Sequence, residues 1–298
     1  MSIFLTGSSG FIGKNLTKYF KGIYTINNYK KGTCIDINQD IVIHLAGKAH
    51  DTKKTLSPEI YYEINTELTK NVFDSFLKSK AKIFIMLSSV KAVADKVNDS
   101  LKENHFPDPK THYGKSKLYA EQYILSKNIP DDKKFYILRP CMIHGPENKG
   151  NLNLLYKLIF EKTPWILGAF NNKRSYCSIE NLLFIIKEII ENKNFVSGIY
   201  NVADDEPLST NEVVLLIAKS LNRRNIIYNI SPILIKYLAK LGDVFRLPLN
   251  SERLNKLTES YVVCNKKILN LIRKPLPISS KNGLSKTFLY FKKQKQFI

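Results

Sequence analysis

The 298-residue sequence predicts an α/β fold: a doubly wound parallel sheet with helices on both faces and a smaller C-terminal lobe. An apolar strand at 2–6 leads at once into a glycine-rich turn and a helical pattern, and further apolar strands are predicted at 40–45 and 82–87, the latter after a helical stretch. No repeat or low-complexity linker divides the chain. We expect residues 1–165 to form mainly the sheet domain and 166–298 mainly the lobe, with some segments returning to the sheet.

The composition excludes several classes of protein. Hydrophobic residues make up 44% and charged residues 24%, which is typical of a globular chain and not of a disordered one. No run approaches the roughly 20 apolar residues of a membrane helix, and the N-terminus lacks the basic segment of a secretory signal. We therefore expect a cytoplasmic protein.

The net charge of +20 raises the question of a nucleic-acid partner. Lysines are spread from Lys14 to Lys295 without an arginine-rich patch, which argues against nucleic acid and is compatible with an anionic small substrate. The cysteines are far apart and form no CxxC pair, so we expect reduced thiols: Cys34, Cys141, Cys177 and Cys264.

The strongest motif is the turn after the first strand. Gly7 permits a tight turn, Gly10 allows backbone N–H groups to approach a pyrophosphate, and Gly13 allows the helix to pack against the strand. The N-terminus of that helix would face the phosphates with its positive dipole end. The motif predicts a Rossmann-type dinucleotide site, with candidate cofactor contacts Gly7, Ser9, Gly10, Phe11, Ile12 and Gly13.

The residues after the predicted second strand, 23–26, bear on the choice of cofactor. An acidic residue there would bind the ribose 2′-hydroxyl of NAD, but the sequence has Asn27 and Asn28, followed by Lys30 and Lys31. This favours NADP(H) and leaves NAD(H) open, because both lysines also suit a solvated loop. Asp36 and Ile37 are candidates for the adenine edge.

The third strand ends in Leu45, Ala46 and Gly47. Because Ala46 and Gly47 are small, a cofactor could pass close to the backbone there. His44 and His50 lie nearby, but no carboxylate–histidine ligand set surrounds them, so we expect no metal site.

A catalytic constellation follows. Ser88 and Ser89 stand at the end of the strand at 82–87, and Tyr113 and Lys117 are four residues apart, on one face of a predicted helix. A phenol of pKa near 10 is a poor base. A nearby ammonium would favour the phenolate and lower the pKa of the tyrosine towards neutrality.

Taken together, these motifs resemble the extended short-chain dehydrogenase/reductase family, in particular its NAD(P)-dependent nucleotide-sugar epimerases, dehydratases and reductases. The matching segments run in family order: TGSSGFIG at 6–13, HLAG at 44–47, SS at 88–89, YGKSK at 113–117, RP at 139–140, GP at 145–146, RSYCSIENL at 174–182 and YNVADDEPLS at 200–209.

The resemblance implies a role for each matching residue. Tyr113 would be the acid/base, Lys117 would hold the ribose, and Ser89, preferred over Ser88, would bind the reacting oxygen. Asn65 matches an asparagine behind the active site, and Arg174 matches an arginine that grips the substrate diphosphate. The remaining candidates are Pro140 with Asn65 on the cofactor side, and Asn151, Leu154, Leu167 and Arg253 on the substrate side.

Two departures from the family pattern narrow the expected reaction, the first being that the Val-Tyr-Gly triplet of many epimerases is missing after the serine pair. The residues after the serine pair include Lys91 and Ala92 and no Asp-Glu pair, which argues against 4,6-dehydration. The Ser-Ser-x-Lys form is similar to bacterial enzymes that act at C4 of UDP-linked acetamido sugars. The resemblance thus implies hydride transfer at C4 of a nucleotide-linked sugar, with UDP expected, in surface polysaccharide biosynthesis; both 4-epimerase and 4-keto-sugar reductase stay open.

The sequence also leaves alternatives for the function, the oligomeric state and the C-terminal tail. A non-catalytic NADP(H)-binding regulator of the same fold is the alternative, although such proteins typically lose the tyrosine or the lysine. A homodimer is compatible with the sequence. The basic, aromatic tail at 288–295 could lie on an anionic membrane, but we expect a terminal helix packed on the domain.

Overall fold

The computed structural model describes residues 1–49, 57–148, 150–224, 227–245, 247 and 249–294. His50 and Lys295, which entered the metal and tail predictions, lie outside these ranges.

Six parallel strands form the central sheet, which confirms the predicted fold class. They are β1 (Ser2–Thr6), β2 (Thr25–Asn28), β3 (Ile41–His44), β4 (Ile83–Leu87), β6 (Lys134–Pro140) and β9 (Gly198–Val202), in the order β2-β1-β3-β4-β6-β9. In this order β2 and β3 lie on opposite sides of β1. The carboxyl ends of β1 and β3 therefore border a topological switch point, where α/β sheets bind their ligands.

The second strand lies two residues later than predicted. Ile23 and Tyr24 both donate backbone hydrogen bonds to Phe20 in the turn that ends the first helix, so pairing starts only at Thr25. Asn28 then lies opposite Leu5, and both asparagines belong to the strand.

The helices cover both faces of the sheet and build the second lobe. They are α1 (Phe11–Tyr19), α2 (Pro58–Tyr62), α3 (Leu68–Lys78), α4 (His112–Leu125), α5 (Asn151–Phe160), α6 (Ile179–Glu191), α7 (Thr210–Ser220), α8 (Pro232–Phe245), α9 (Ser251–Thr258), α10 (Lys266–Ile272) and α11 (Ser280–Lys293). A π-helical turn at Glu63–Glu67 joins α2 to α3, and a 3₁₀ turn follows β4 at Val90–Ala92. Short strand pairs join β5 (Ser100–Leu101) to β10 (Val262–Val263) and β7 (Met142–His144) to β8 (Tyr176–Ser178).

Buried side chains fall into clusters on the two faces of the sheet and a third in the lobe. The lobe cluster draws on α5, α7, α8, α9 and α11, whereas α6 and β9, although later in sequence than α5, pack with the sheet. The tail behaves as expected up to residue 294, since α11 buries Phe288 and Phe291 in the lobe core. Among the described residues, no helix has the length and apolarity needed to cross a bilayer.

The motifs at 174–182 and 200–209 are joined by hydrogen bonds to the buried carboxylate of Asp204. Asp204 accepts hydrogen bonds from the backbone N–H of Ser178 at 2.8 Å and from the amide of Asn181 at 2.6 Å. Arg174 and Leu208 exchange backbone hydrogen bonds at 2.8 Å. These contacts fix the backbone at Arg174 relative to the sheet.

Candidate active site

A cleft of about 1050 Å³ opens at the carboxyl ends of the strands, between the sheet and the lobe. Its wall contains the glycine turn, the ends of β3, β4 and β6, the first turn of α4 and parts of the lobe. A site of this size, at the switch point, suits a dinucleotide together with a second ligand.

The glycine turn is shaped by close backbone approaches. Gly7 has a φ of +73°, and a Cβ placed there would lie 2.6 Å from the backbone nitrogen of Ala46. A Cβ at Gly13 would lie 2.2 Å from the carbonyl oxygen of Gly7. Only glycine fits at either position, so the turn holds helix α1 hard against the strand and leaves its N-terminal N–H groups beside the cleft.

The two adjacent serines have different partners. Ser88 donates to the carboxylate of Glu121, which is buried and forms an ion pair with Arg139. Ser89 lines the cleft together with Tyr113, lowers the pKa of that phenol against the effect of burial, and accepts from the backbone N–H of Lys91 at 3.1 Å. The geometry therefore favours Ser89 as the hydroxyl that meets a substrate oxygen.

Tyr113 and Lys117 line the cleft from one face of α4. Thr111 caps the helix by accepting from the backbone N–H of Gly114, which places Tyr113 in the first turn. The ammonium of Lys117, 4% exposed, donates to the carbonyl oxygen of Leu87 at 2.9 Å. A Cβ at Gly47 would lie 2.9 Å from the Lys117 nitrogen, so the small residue that ends HLAG gives the ammonium its place.

The expected lowering of the tyrosine pKa does not appear in this arrangement. Burial raises the pKa of Tyr113, the hydrogen bond with Ser89 opposes that rise, and Tyr61 adds to it. Burial also lowers the pKa of Lys117 to about 8, against the opposing effect of the Glu121 carboxylate. Burial disfavours the phenolate, so positive charge is needed nearby to make Tyr113 a base near neutral pH.

Asn65 supports the site from behind. Its side chain accepts from the backbone N–H of Lys48 at 2.7 Å and donates to the hydroxyl of Ser116 at 2.9 Å. The π-helical turn that contains Asn65 thus ties the loop after β3 to helix α4. His44 is packed rather than exposed to a ligand: it contacts the hydroxyls of Thr6 and Thr69, and burial lowers its pKa to about 3.

Cationic and aromatic groups from several segments also line the cleft. Arg174 donates from Nε to the carbonyl oxygen of Glu259 at 2.9 Å and lines the cleft. The ammonium of Lys91 lies 4.1 Å from the ring centre of Tyr261, and burial lowers its pKa. The guanidinium and this ammonium give the wall the charge that a diphosphate needs.

The structure brings a large part of the predicted set to the cleft. Those on the wall are Gly7, Gly10, Phe11, Ile12, Gly13, Leu45, Gly47, Ser89, Tyr113, Lys117, Pro140, Asn151 and Arg174. The other predicted residues are off the described wall: Ser9, Asn27, Lys30, Asp36, Ile37, Ala46, Asn65, Leu154, Leu167 and Arg253. Ile37 and Leu167 are core side chains, and Leu154 is 64% exposed on the outer face of α5.

Sequence reasoning missed several wall residues that the fold brings from distant segments. They are Lys14, Lys91, Cys141, Met142, Glu147, Asn148, Lys256, Glu259, Tyr261 and Tyr290. The position of Lys14 directly after the glycine motif and the departure at Lys91 were visible signals. Tyr261 and Tyr290 carry no local signal, because only contacts between segments far apart in the chain place them there.

The residues present fit a dinucleotide cofactor. The turn at Gly7, Gly10 and Gly13 forms a cradle that added Cβ atoms would fill or crowd, and the buried Lys117 ammonium lines the same cleft. Lys117 would hold the ribose, and the N–H groups of the turn would hold the diphosphate.

Comparisons with known proteins agree with this geometry. The chain is 31% identical over 245 residues to the N-acetyl-α-D-glucosaminyl-diphospho-ditrans,octacis-undecaprenol 4-epimerase of Escherichia coli O157:H7, covering 75% of this chain and 73% of that protein. It is 30% identical over 252 residues to the UDP-glucose 4-epimerase of Vibrio cholerae, covering 74% and 76%. The fold is similar to that of UDP-glucuronic acid 4-epimerase from Bacillus cereus in complex with NAD, with a TM-score of 0.75, 18% identity and full coverage of both chains.

The family assignment rests on the length of the match as well as on these relatives. The profile of the NAD dependent epimerase/dehydratase family matches residues 3–203, which contain the glycine turn, Ser89, Tyr113, Lys117 and Arg174. The chain belongs to the NAD-dependent epimerase/dehydratase family.

Proposed function

We propose that the protein is a 4-epimerase that transfers hydride at C4 of a hexose linked to a diphosphate, most simply a UDP-sugar. The observation that carries the proposal is that Ser89, Tyr113 and Lys117 line one cleft together with the glycine turn and Arg174. This puts acid/base groups, a dinucleotide cradle and a cation for the diphosphate within a single site.

The reaction assigns each side chain a step. When bound, NAD(P) supplies the acceptor and donor of hydride. Tyr113, as phenolate, removes the proton of the 4-hydroxyl, while Ser89 donates a hydrogen bond to the same oxygen as it becomes a carbonyl. The keto sugar rotates within the cleft so that the other face of C4 meets the hydride donor. Tyr113 then returns the proton to the oxygen as that face is reduced.

The diphosphate is the part of the substrate that both relatives' names imply, since one acts on a UDP-sugar and the other on a sugar linked through diphosphate to undecaprenol. Arg174 can meet either diphosphate with two parallel hydrogen bonds. We propose UDP as the carrier and surface polysaccharide biosynthesis in the cytoplasm as the setting, where nucleotide sugars and NAD(P) are available.

A 4-keto-sugar reductase would use the same residues with NADPH, and the absence of an acid at Asn27 and Asn28 is the observation that favours it. A non-catalytic regulator is disfavoured, because Tyr113 and Lys117 are both present and both line the cleft.

The deciding experiment measures turnover and the fate of the cofactor together. Purified protein is incubated with UDP-glucose, UDP-N-acetylglucosamine and their C4 epimers, and products are resolved by proton NMR. Conversion with substoichiometric, tightly retained cofactor would support the epimerase. Stoichiometric loss of NADPH with a 4-keto sugar would support the reductase. Tight NADPH binding without turnover on UDP-, dTDP- and GDP-sugars would contradict both and support the regulator. The matched control is Tyr113→Phe, which keeps the ring.

A further inference from the structure

Helix α8 leaves a broad apolar face without a partner among the described residues. Only one narrow strip of the helix, Ile235, Ala239 and Gly242, is buried in the lobe. Large apolar side chains fill a neighbouring arc and remain exposed: Ile233 at 82%, Leu234 at 49%, Tyr237 at 60%, Leu238 at 41%, Val244 at 74% and Phe245 at 68%. We call this surface the α8 face. Such a continuous apolar patch typically marks an interaction site.

The surroundings of the α8 face are strongly basic. Residues 219–256 contain eight lysines and arginines and two acidic residues, Asp243 and Glu252. Asp243 accepts hydrogen bonds from Ser251, and Glu252 pairs with Lys256 at 2.7 Å. Lys236 and Lys240 are exposed along one border of the face. An apolar arc flanked by lysines is typical of a helix that lies in the interface of an anionic bilayer.

Helix α8 is linked to the cleft through a neighbouring helix. It packs on α9, and Lys256 of α9 lines the cleft wall. The helix that carries the α8 face is therefore one helix away from that wall.

We propose that the α8 face docks the protein on a membrane that contains anionic lipids. The apolar side chains enter the acyl boundary, while Lys236 and Lys240 extend to the phosphates of the lipid headgroups. A second copy of the chain fits this face less well, because the two basic surroundings would repel each other. The proposal rests on this surface alone and does not depend on which sugar the cleft binds.

The test is flotation with vesicles of phosphatidylcholine alone or with about one quarter phosphatidylglycerol. We expect the wild type to float with the anionic vesicles and binding to fall in about 0.5 M salt. The triple variant Ile233→Ser, Val244→Ser, Phe245→Ser should lose at least about tenfold in partitioning. The double variant Lys236→Glu, Lys240→Glu should lose the preference for anionic vesicles.

A control variant removes three exposed apolar side chains elsewhere: Phe106→Ser, Val196→Ser, Leu215→Ser, which are 90%, 62% and 48% exposed in the wild type. This control should float like the wild type, and all variants should bind UDP with unchanged affinity if the proposed function holds. Failure of the wild type to float on anionic vesicles, or equal loss in the control, would overturn the proposal. So would a wild-type dimer in light scattering that the α8 triple variant alone turns into a monomer without any vesicle binding.

Discussion

The ammonium of Lys117 donates a hydrogen bond of 2.9 Å to the carbonyl oxygen of Leu87, the last residue of strand β4. The bond joins α4, which carries Tyr113, to the end of the strand that both serines follow. Because burial lowers the pKa of Lys117 to about 8, this contact holds the charge in place at a cost in desolvation.

Replacing Tyr113 by Phe should lower kcat by roughly 10²–10⁴-fold, because proton transfer to and from the sugar oxygen is lost. NAD(P) affinity should stay within about twofold, since the ring and its packing remain. Single-turnover kinetics and a fluorescence titration of the cofactor measure the two effects. Tyr119→Phe, on the exposed face of the same helix, is the control. Activity of Tyr113→Phe within a few-fold of wild type would refute the acid/base assignment.

Alanine substitutions of Ser88 and Ser89 should have different effects: the first should lower stability and the second should lower kcat. Ser89→Ala should reduce kcat on the order of 10²-fold with little change in melting temperature, because it removes a donor to the reacting oxygen. Ser88→Ala should lower the free energy of unfolding by about 1.5–3 kcal/mol, because buried Glu121 loses a charged hydrogen bond. Denaturant unfolding and initial rates test the pair, and the reverse pattern would assign the catalytic hydroxyl to Ser88.

Lys117 should make stability depend on pH between about 8 and 10.5. Its folded pKa is lowered to about 8 from 10.5, so in this window the unfolded chain binds more protons than the native one. The free energy of unfolding should therefore rise with pH here, by up to about 3 kcal/mol from this group.

Lys117→Met is the variant that isolates this term, because it keeps the length of the side chain. The difference in unfolding free energy between wild type and variant should grow by that amount from pH 8 to pH 10.5, in urea melts of the cofactor-free protein. A difference that stays constant across the window would show that the lysine is not desolvated as the structure indicates.

Substitutions of two glycines in the turn should have different effects, one on stability and the other on cofactor binding. Gly13→Ala should destabilise the fold by about 1–3 kcal/mol, because its Cβ would lie 2.2 Å from the carbonyl oxygen of Gly7 and 2.6 Å from the Cα of Ser8. Gly10→Ala should fold normally, since its Cβ makes an ordinary 3.4 Å contact, but should weaken NAD(P) binding tenfold or more by blocking approach of the diphosphate. Thermal melts and cofactor titrations distinguish them. Equal cofactor affinity in Gly10→Ala and wild type would place the diphosphate elsewhere.

Substitutions of Arg174 test whether this residue binds the diphosphate of the substrate. Arg174→Ala should weaken UDP binding by roughly ten- to a hundred-fold, corresponding to about 1.5–3 kcal/mol for a charged hydrogen bond, with NAD(P) binding unchanged. Arg174→Lys should recover only part, because an ammonium cannot form the two-pronged contact. Calorimetric titration at fixed salt measures all three proteins. Equal affinities would remove Arg174 from the substrate site, and no UDP binding to wild type would undermine the choice of UDP as carrier.

The sequence alone determined the fold class and the centre of the site. Gly7, Gly10 and Gly13 follow a strand directly, and Tyr113 and Lys117 are spaced by one helical turn, so local rules place them without knowledge of distant contacts. The start of the second strand could not be derived in this way, because the hydrogen bonds to Phe20 that delay it depend on how helix α1 ends.

Tertiary structure decided the roles of neighbours and the far wall of the cleft. Ser88 and Ser89 are identical in sequence terms, and only the folded structure shows that the Ser88 hydroxyl already donates to buried Glu121, the partner of Arg139. The pKa of Tyr113 follows burial, and burial is a property of the tertiary structure that the spacing of Tyr113 and Lys117 does not reveal. Tyr261 and Tyr290 reach the cleft because β10 and α11 pack back onto the body of the protein. Local periodicity carries no information about such long-range contacts, since they arise from the burial of apolar surface between segments far apart in the chain.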